Sequence, residues 1–206
     1  MNGDLGRLRA PRLTGEERFR LAGKALDFGL LGFWQWSASD LVSNATRGRL
    51  AEYIVARALG LPAYGVRDEW AAYDLITAEG IRLEVKSASY LQSWYQKKPS
   101  TILFSVRASR AWNPETNELS REARRQANLY VLALLAHTDK ATLNPLDLDQ
   151  WSFFVVPTEV LDARTRSQHS ITLPSLGTLG YRAVSFGELG EAVRSAANEI
   201  QARGTL

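Results

Sequence analysis

The sequence predicts an α/β or α+β fold, a β-sheet with helices on its faces. Three observations carry this expectation. Segments of period-2 apolar alternation and short fully apolar runs lie between turn residues, as strands require. Helical 3.6-residue spacing appears before them, in "SNATRGRLAEYIVARALG". It appears again after them, in a capped helix near the end of the chain.

Taken in order, residues 1–13 read as flexible. Thr14 opens "TGEERFRLAGKAL" with Glu17 three residues on, which predicts a capped helix. The aromatic connection "FGLLGFWQWSASD" follows, with Phe28, Phe33, Trp34 and Trp36 expected to pack in the core or, as the sharper alternative, to meet a second copy of the chain. In the next helix Leu50, Ala51, Ile54, Val55 and Ala58 form an apolar stripe, Gly60 and Pro62 stop it, and Glu52 lies at the stripe's margin. Tyr73 to Ala88, "YDLITAEGIRLEVKSA", reads as a β-hairpin. "STILFSVRAS" alternates Ile102, Phe104 and Val106 as a third strand. Leu129 to Ala136 is a buried strand or a short buried helix, and the flanking Asn128 and "HTDK" favour the strand. "WSFFVVP" is a further strand, "TEVLDAR" a short helix, and Ser185 with Glu188 a second capping box opening "FGELGEAVRSAANEIQ".

With 206 residues, 45% hydrophobic and 23% charged, the chain suits one compact domain. The divisions expected within it are 14–40 for the first helix and aromatic connection, 43–157 for the core and 158–206 for a C-terminal extension. The absence of cysteine excludes disulfides and cysteine-ligated metals, and only two histidines are present, His137 and His169. A metal would therefore sit on oxygen ligands, which favours Mg²⁺, Mn²⁺ or Ca²⁺. Both histidines read as structural. The first residues lack a signal-like apolar run and nothing reaches membrane-spanning length, so a cytoplasmic protein is expected. Of 25 basic residues only Lys24, Lys86, Lys97, Lys98 and Lys140 are lysines. The arginine bias suits phosphate recognition.

The hairpin carries the chemistry. If Ala78, Glu79 and Gly80 form a three-residue turn, Leu75 faces Leu83 and Tyr73 faces Val85 on the core side. On the other face Asp74 stands opposite Glu84, with Lys86 two residues beyond. Opposed Cβ atoms are about 4.5–5.5 Å apart, so two carboxylates there repel unless a cation lies between them or they share a proton. With the Val85 carbonyl they would form an oxygen cage for Mg²⁺, a setting for phosphodiester hydrolysis with Lys86 beside the attacking water. The alternative is a solvated edge hairpin with a local ion pair.

Asp74, Glu84-Val85-Lys86 and Glu52 on the preceding helix resemble the core of the PD-(D/E)xK, or restriction-endonuclease-like, nuclease superfamily. The resemblance spans roughly residues 43–157. It implies a mixed central β-sheet flanked by helices in the order αβββαβ, with helical additions at both ends. It also implies that Asp74 and Glu84 bind the metal, that Lys86 assists the nucleophilic water, and that Glu52 orients a metal-bound water or a second metal. Tyr73 stands where the family name has proline. The implied activity is Mg²⁺- or Mn²⁺-dependent hydrolysis of nucleic acid, with DNA favoured and RNA open, in restriction, repair, recombination or mobile-element defence. Cutting both strands of a duplex would need two sites, hence a possible homodimer. The rival is an inactive nuclease-fold module that binds nucleic acid or a protein.

Two segments suit a nucleic-acid surface. In "SYLQSWYQKKPS", Tyr90, Gln92, Trp94, Lys97 and Lys98 interleave rings, amides and charges. In "RASRAWNPETNELSREARRQ", Arg107, Arg110, Arg124 and Arg125 form a candidate phosphate patch, with a solvated helix of local ion pairs as the alternative.

Overall fold

A computed structural model describes residues 5–62, 65–165 and 167–204. The chain begins with β1 (Arg18–Leu21) and β2 (Lys24–Gly29), an antiparallel pair, followed by α1 (Leu30–Ala38) and α2 (Asn44–Ala58). Next come β3 (Leu75–Ile76), β4 (Arg82–Ser89), β5 (Leu103–Ser105), and the pair β6 (Trp112–Asn113) and β7 (Glu118–Leu119). β8 (Leu129–Leu135), β9 (Trp151–Pro157), α3 (Thr158–Asp162), β10 (Ser170–Thr172), α4 (Leu173–Thr178) and α5 (Phe186–Ala202) complete it. The main sheet has the order β3-β4-β8-β9. Its β4–β8 pair is parallel and the outer pairs are antiparallel. The fold is thus mixed α/β around a mixed sheet.

β8 is buried along its whole length because both faces of the sheet are covered. Its odd residues Leu129, Val131, Ala133 and Leu135 join Leu83 and Val85 of β4, the α2 stripe and Leu189, Val193 and Ile200 of α5. Its even residues Tyr130, Leu132 and Leu134 join Phe154, Val156, Ile102, Phe104, Val106, Leu161, Ile171 and Leu176. At Gly190 an added Cβ would lie 2.8 Å from the Ala58 carbonyl oxygen, so glycine permits α5 to cross the end of α2 closely.

The α2 stripe, the strands β8 and β9, the short α3 and the capping box at Ser185 and Glu188 form as the sequence predicts. Four expectations are corrected. The segment after Thr14 is a hairpin, not a helix: Ala22 and Gly23 both take positive φ, at 48° and 79°, and turn the chain back. The capping contacts nevertheless form, with Glu17 accepting from the Thr14 and Gly15 amides at 2.9 Å. Those hydrogen bonds order the turn without committing the chain to a helix. Second, the aromatic residues around α1 do not enter the core. Phe28, Phe33 and Trp34 are exposed and Trp36 is 85% exposed, because α1 packs on its own hairpin and on neither core cluster.

Third, Phe104 of β5 and the flanking Ile102 and Val106 are buried as the alternation requires, but β5 pairs with β10 outside the main sheet. Fourth, the crossover from β4 to β8 carries β5 and the β6–β7 hairpin, and no helix interrupts residues 90–128. The helix of the order αβββαβ is absent there, since Trp112 to Leu119 close on a turn with Asn117 at φ 58°. Residues 1–4, part of the segment expected to be flexible, lie outside the described residues. Within 5–13, Arg7 is held by Asp68 and Glu115. Among the described residues no helix is long and apolar enough to cross a membrane.

Candidate active site

The hairpin closes as its glycine dictates. Gly80 has φ +84°, its N–H donates to the Thr77 carbonyl and the Thr77 N–H donates to the Ile81 carbonyl, both at 3.0 Å. Leu75 then pairs with Leu83. One step further the ladder departs from the regular count. The Asp74 N–H takes the Leu83 carbonyl at 3.0 Å, and the Val85 N–H donates to the Asp74 carboxylate at 2.8 Å. The side chain of Asp74 thus replaces a backbone acceptor. Tyr73 consequently does not face Val85 but packs against the opposite core cluster.

Asp74 and Glu84 still meet. Both line one cleft of about 220 Å³, with Glu69, Trp70, Arg110, Trp112 and Gln126 around it. Their side chains are 16% and 20% exposed. Burial first, and the Glu84 charge second, push the Asp74 carboxyl up to about 6, against the Val85 amide, which favours the anion. Lys86 lies on the Glu84 face of β4, and its Nζ is 2.5 Å from Glu84 Oε1. Tyr130, beside Glu84 in the parallel register, has its phenol raised by burial and then by the Glu84 charge.

Glu52 reaches the same region from α2 and is 12% exposed. Its partner is Arg67, a residue the sequence does not single out. The Arg67 Nε and Nη2 both donate to the Glu52 carboxylate, the Nη2 contact at 2.8 Å, and Nη2 also lies 3.7 Å from Asp74 Oδ1. With Glu52 drawn onto Arg67, no group of three or more His, Cys, Asp or Glu among the described residues is gathered as a ligand set for a metal. Asp74 and Glu84 remain as a pair. Arg67, Trp70 and Trp112 were hidden because ion pairing and ring contact across 15 and 42 positions leave no local pattern; the Trp70 and Trp112 rings meet at 5.1 Å.

The expected nucleic-acid residues divide. Trp94, Lys97, Lys98, Arg107, Arg110 and Arg124 are exposed, Tyr90 is half-buried, and Arg110 lines the cleft. Gln92 is corrected to a structural role: it is buried and bonded to the Ser89 carbonyl, Ser100 and Arg47. Arg125 is corrected likewise. Its side chain is 3% exposed and donates to the Val106 and Gln168 carbonyls and to Asp162. His137 bonds Thr142 at 2.7 Å, and the His169 carbonyl accepts from the Val106 N–H.

Fold and cleft together define a mixed α/β protein with Asp74 and Glu84 in one recess and Lys86 paired to Glu84. The family model for bacteriophage T4 endonuclease IV matches residues 34–173, more than half of the chain. The chain belongs to that family, and its class is therefore that of a nuclease. The matched span holds Glu52, Asp74, Glu84, Lys86 and the whole main sheet. No curated protein matches the chain.

Proposed function

We propose that the protein is a divalent-cation-dependent endonuclease that hydrolyses phosphodiester bonds in DNA, on a variant of the PD-(D/E)xK core. One observation carries this reading: Asp74 and Glu84, two carboxylates largely withdrawn from water, share a cleft in which burial and the Glu84 charge disfavour the Asp74 anion. A cation relieves that repulsion. The donors available are all oxygens, the two carboxylates and the Val85 carbonyl, which fits Mg²⁺ or Mn²⁺. Such a cation, when bound, supplies Lewis-acid polarisation of the phosphoryl group and a more acidic water.

The chain's own residues do the rest. Asp74, fixed by the Val85 amide, presents its carboxylate in one orientation. Lys86, held by Glu84, keeps a positive charge where negative charge builds at the phosphorus and steers the attacking water. Glu52, held beside Asp74 by Arg67, supplies a third acid at the site. The exposed Trp94, Lys97, Lys98, Arg107, Arg110 and Arg124 offer rings and cations to bases and phosphates.

The test is cleavage of supercoiled plasmid and of labelled DNA and RNA strands with Mg²⁺, Mn²⁺ or EDTA. Metal-dependent cutting by the wild type that is lost in Asp74→Ala and Lys86→Ala supports the reading. DNA binding without cleavage across all substrates and both metals refutes it and favours a binding module.

A further inference from the structure

Arg67 lies in segment 65–72, which contains neither helix nor strand. Apart from Arg67 itself, the segment is attached to the body by surface contacts: Asp68 pairs with Arg7 at 2.5 Å, and Trp70 meets Trp112 edge-on. From this tether its guanidinium enters the acid site.

We propose that Arg67 is a positioning residue of that site, the resident counter-ion that holds Glu52 beside Asp74 when no metal is bound and withdraws when a divalent cation takes the carboxylates. The inference rests on the cation-dependent reading above. Three features support it. Both acids are largely withdrawn from water, at 12% and 16% exposure, so a cation at hand stabilises them. Lys86 forms its ion pair with Glu84, whereas Arg67 is the cation within 4 Å of both Glu52 and Asp74. The fork of Arg67 grips both oxygens of Glu52 while its Nη2 leans toward Asp74, so the one guanidinium spans two acids from two different elements.

Charge balance gives the direction of the change. Glu52, Asp74 and Glu84 oppose Lys86 and Arg67 in the metal-free site, leaving an excess of one negative charge. A divalent cation added to that set overshoots. With Arg67 withdrawn, the cation and Lys86 balance the three carboxylates. The loosely anchored segment permits this movement without disturbing either core cluster.

The experiment measures Mn²⁺ affinity of the full chain by calorimetry, with melting temperature in EDTA, for wild type, Arg67→Gln, Arg67→Lys and Asp74→Asn. Arg67→Gln is expected to bind Mn²⁺ roughly tenfold more tightly than wild type, a coupling of ordinary size, while melting lower in EDTA. Arg67→Lys keeps the charge but not the fork, and is expected to fall between the two. Equal or weaker Mn²⁺ binding by both Arg67 variants, with wild-type binding still dependent on Asp74, overturns the role of Arg67 alone. Wild-type Mn²⁺ binding that is absent, or unchanged in Asp74→Asn, overturns the cation site and this inference together.

Discussion

Replacing Asp74 by asparagine should stabilise the metal-free protein, by an amount that grows as pH rises from about 4 to about 6 and is full above that. The amide oxygen of asparagine can still accept from the Val85 N–H, so the local hydrogen bond survives while the charge is removed. In the folded protein the Asp74 carboxyl titrates near 6 rather than 3.8, raised mainly by burial and next by Glu84. Between those two values the folded state holds a proton that the unfolded state has lost. Wild-type stability therefore falls as pH rises through that window, and the loss is complete above the folded value. The rise from 3.8 to about 6 corresponds to about 3 kcal/mol, or on the order of 10 °C in melting temperature for a chain of this size. The assay is urea unfolding in EDTA at closely spaced pH values from 3.5 to 8 (a range set to bracket both titration points, at roughly one unit or less per step). The difference between Asp74→Asn and wild type should be smallest at the acid end and grow in favour of the variant as pH rises. A difference that stays flat across the series, or that turns against the variant at high pH, would refute the view that burial and Glu84 make the Asp74 anion costly. Saturating Mn²⁺ should raise the wild-type midpoint and leave that of Asp74→Asn nearly unchanged, since the proposed site would then lack a ligand.

Gly80→Ala tests the turn. Nothing lies within 4 Å of the added Cβ, so the whole penalty is that of a positive φ, about 1–2 kcal/mol, read as a lowered melting temperature with loosened hairpin amide protection in hydrogen exchange. Gly190→Ala should cost about 1–3 kcal/mol because its Cβ meets the Ala58 carbonyl. Gly187→Ala on the same helix, where only the Ser185 hydroxyl is near, should be neutral or stabilising, as helix propensity favours alanine. Arg125→Ala should lower the unfolding free energy by about 2–3 kcal/mol, read as a lower urea midpoint, since it strands the Val106 and Gln168 carbonyls, with no change in DNA affinity of the folded protein. Arg110→Ala should do the reverse, weakening DNA binding in a salt-dependent way and sparing stability.

Much of this site could be read from one hairpin, because a three-residue loop closed by Gly80 fixes the register of everything near it. The sequence by itself determined that Leu75 faces Leu83 and that Glu84 and Lys86 share one face of β4, and it favoured a buried strand over a short helix from Leu129, which the structure decides as the strand Leu129–Leu135. These follow from local rules, a glycine's left-handed backbone and the period-2 alternation of a strand. It did not determine how the hairpin ends. Asp74 leaves the ladder to cap the Val85 amide, a competition between side chain and backbone acceptors that depends on what else crowds the sheet edge. Nor did it determine that the "TGEERFRLAGKAL" segment would turn at Ala22 and Gly23, since the same Glu17 contacts serve a helix start and a tight turn equally well. Gln92 and Arg125 show the same boundary: an amide and a guanidinium suited to nucleic acid are suited as well to unpaired carbonyls inside the protein. Only the tertiary structure decided which of them faces water, and only it brought Arg67 to Glu52 and Asp74. Ion pairs and ring contacts between distant segments are selected by the packing of whole elements, and that packing is encoded in the sum of the two core clusters rather than in any short stretch of sequence.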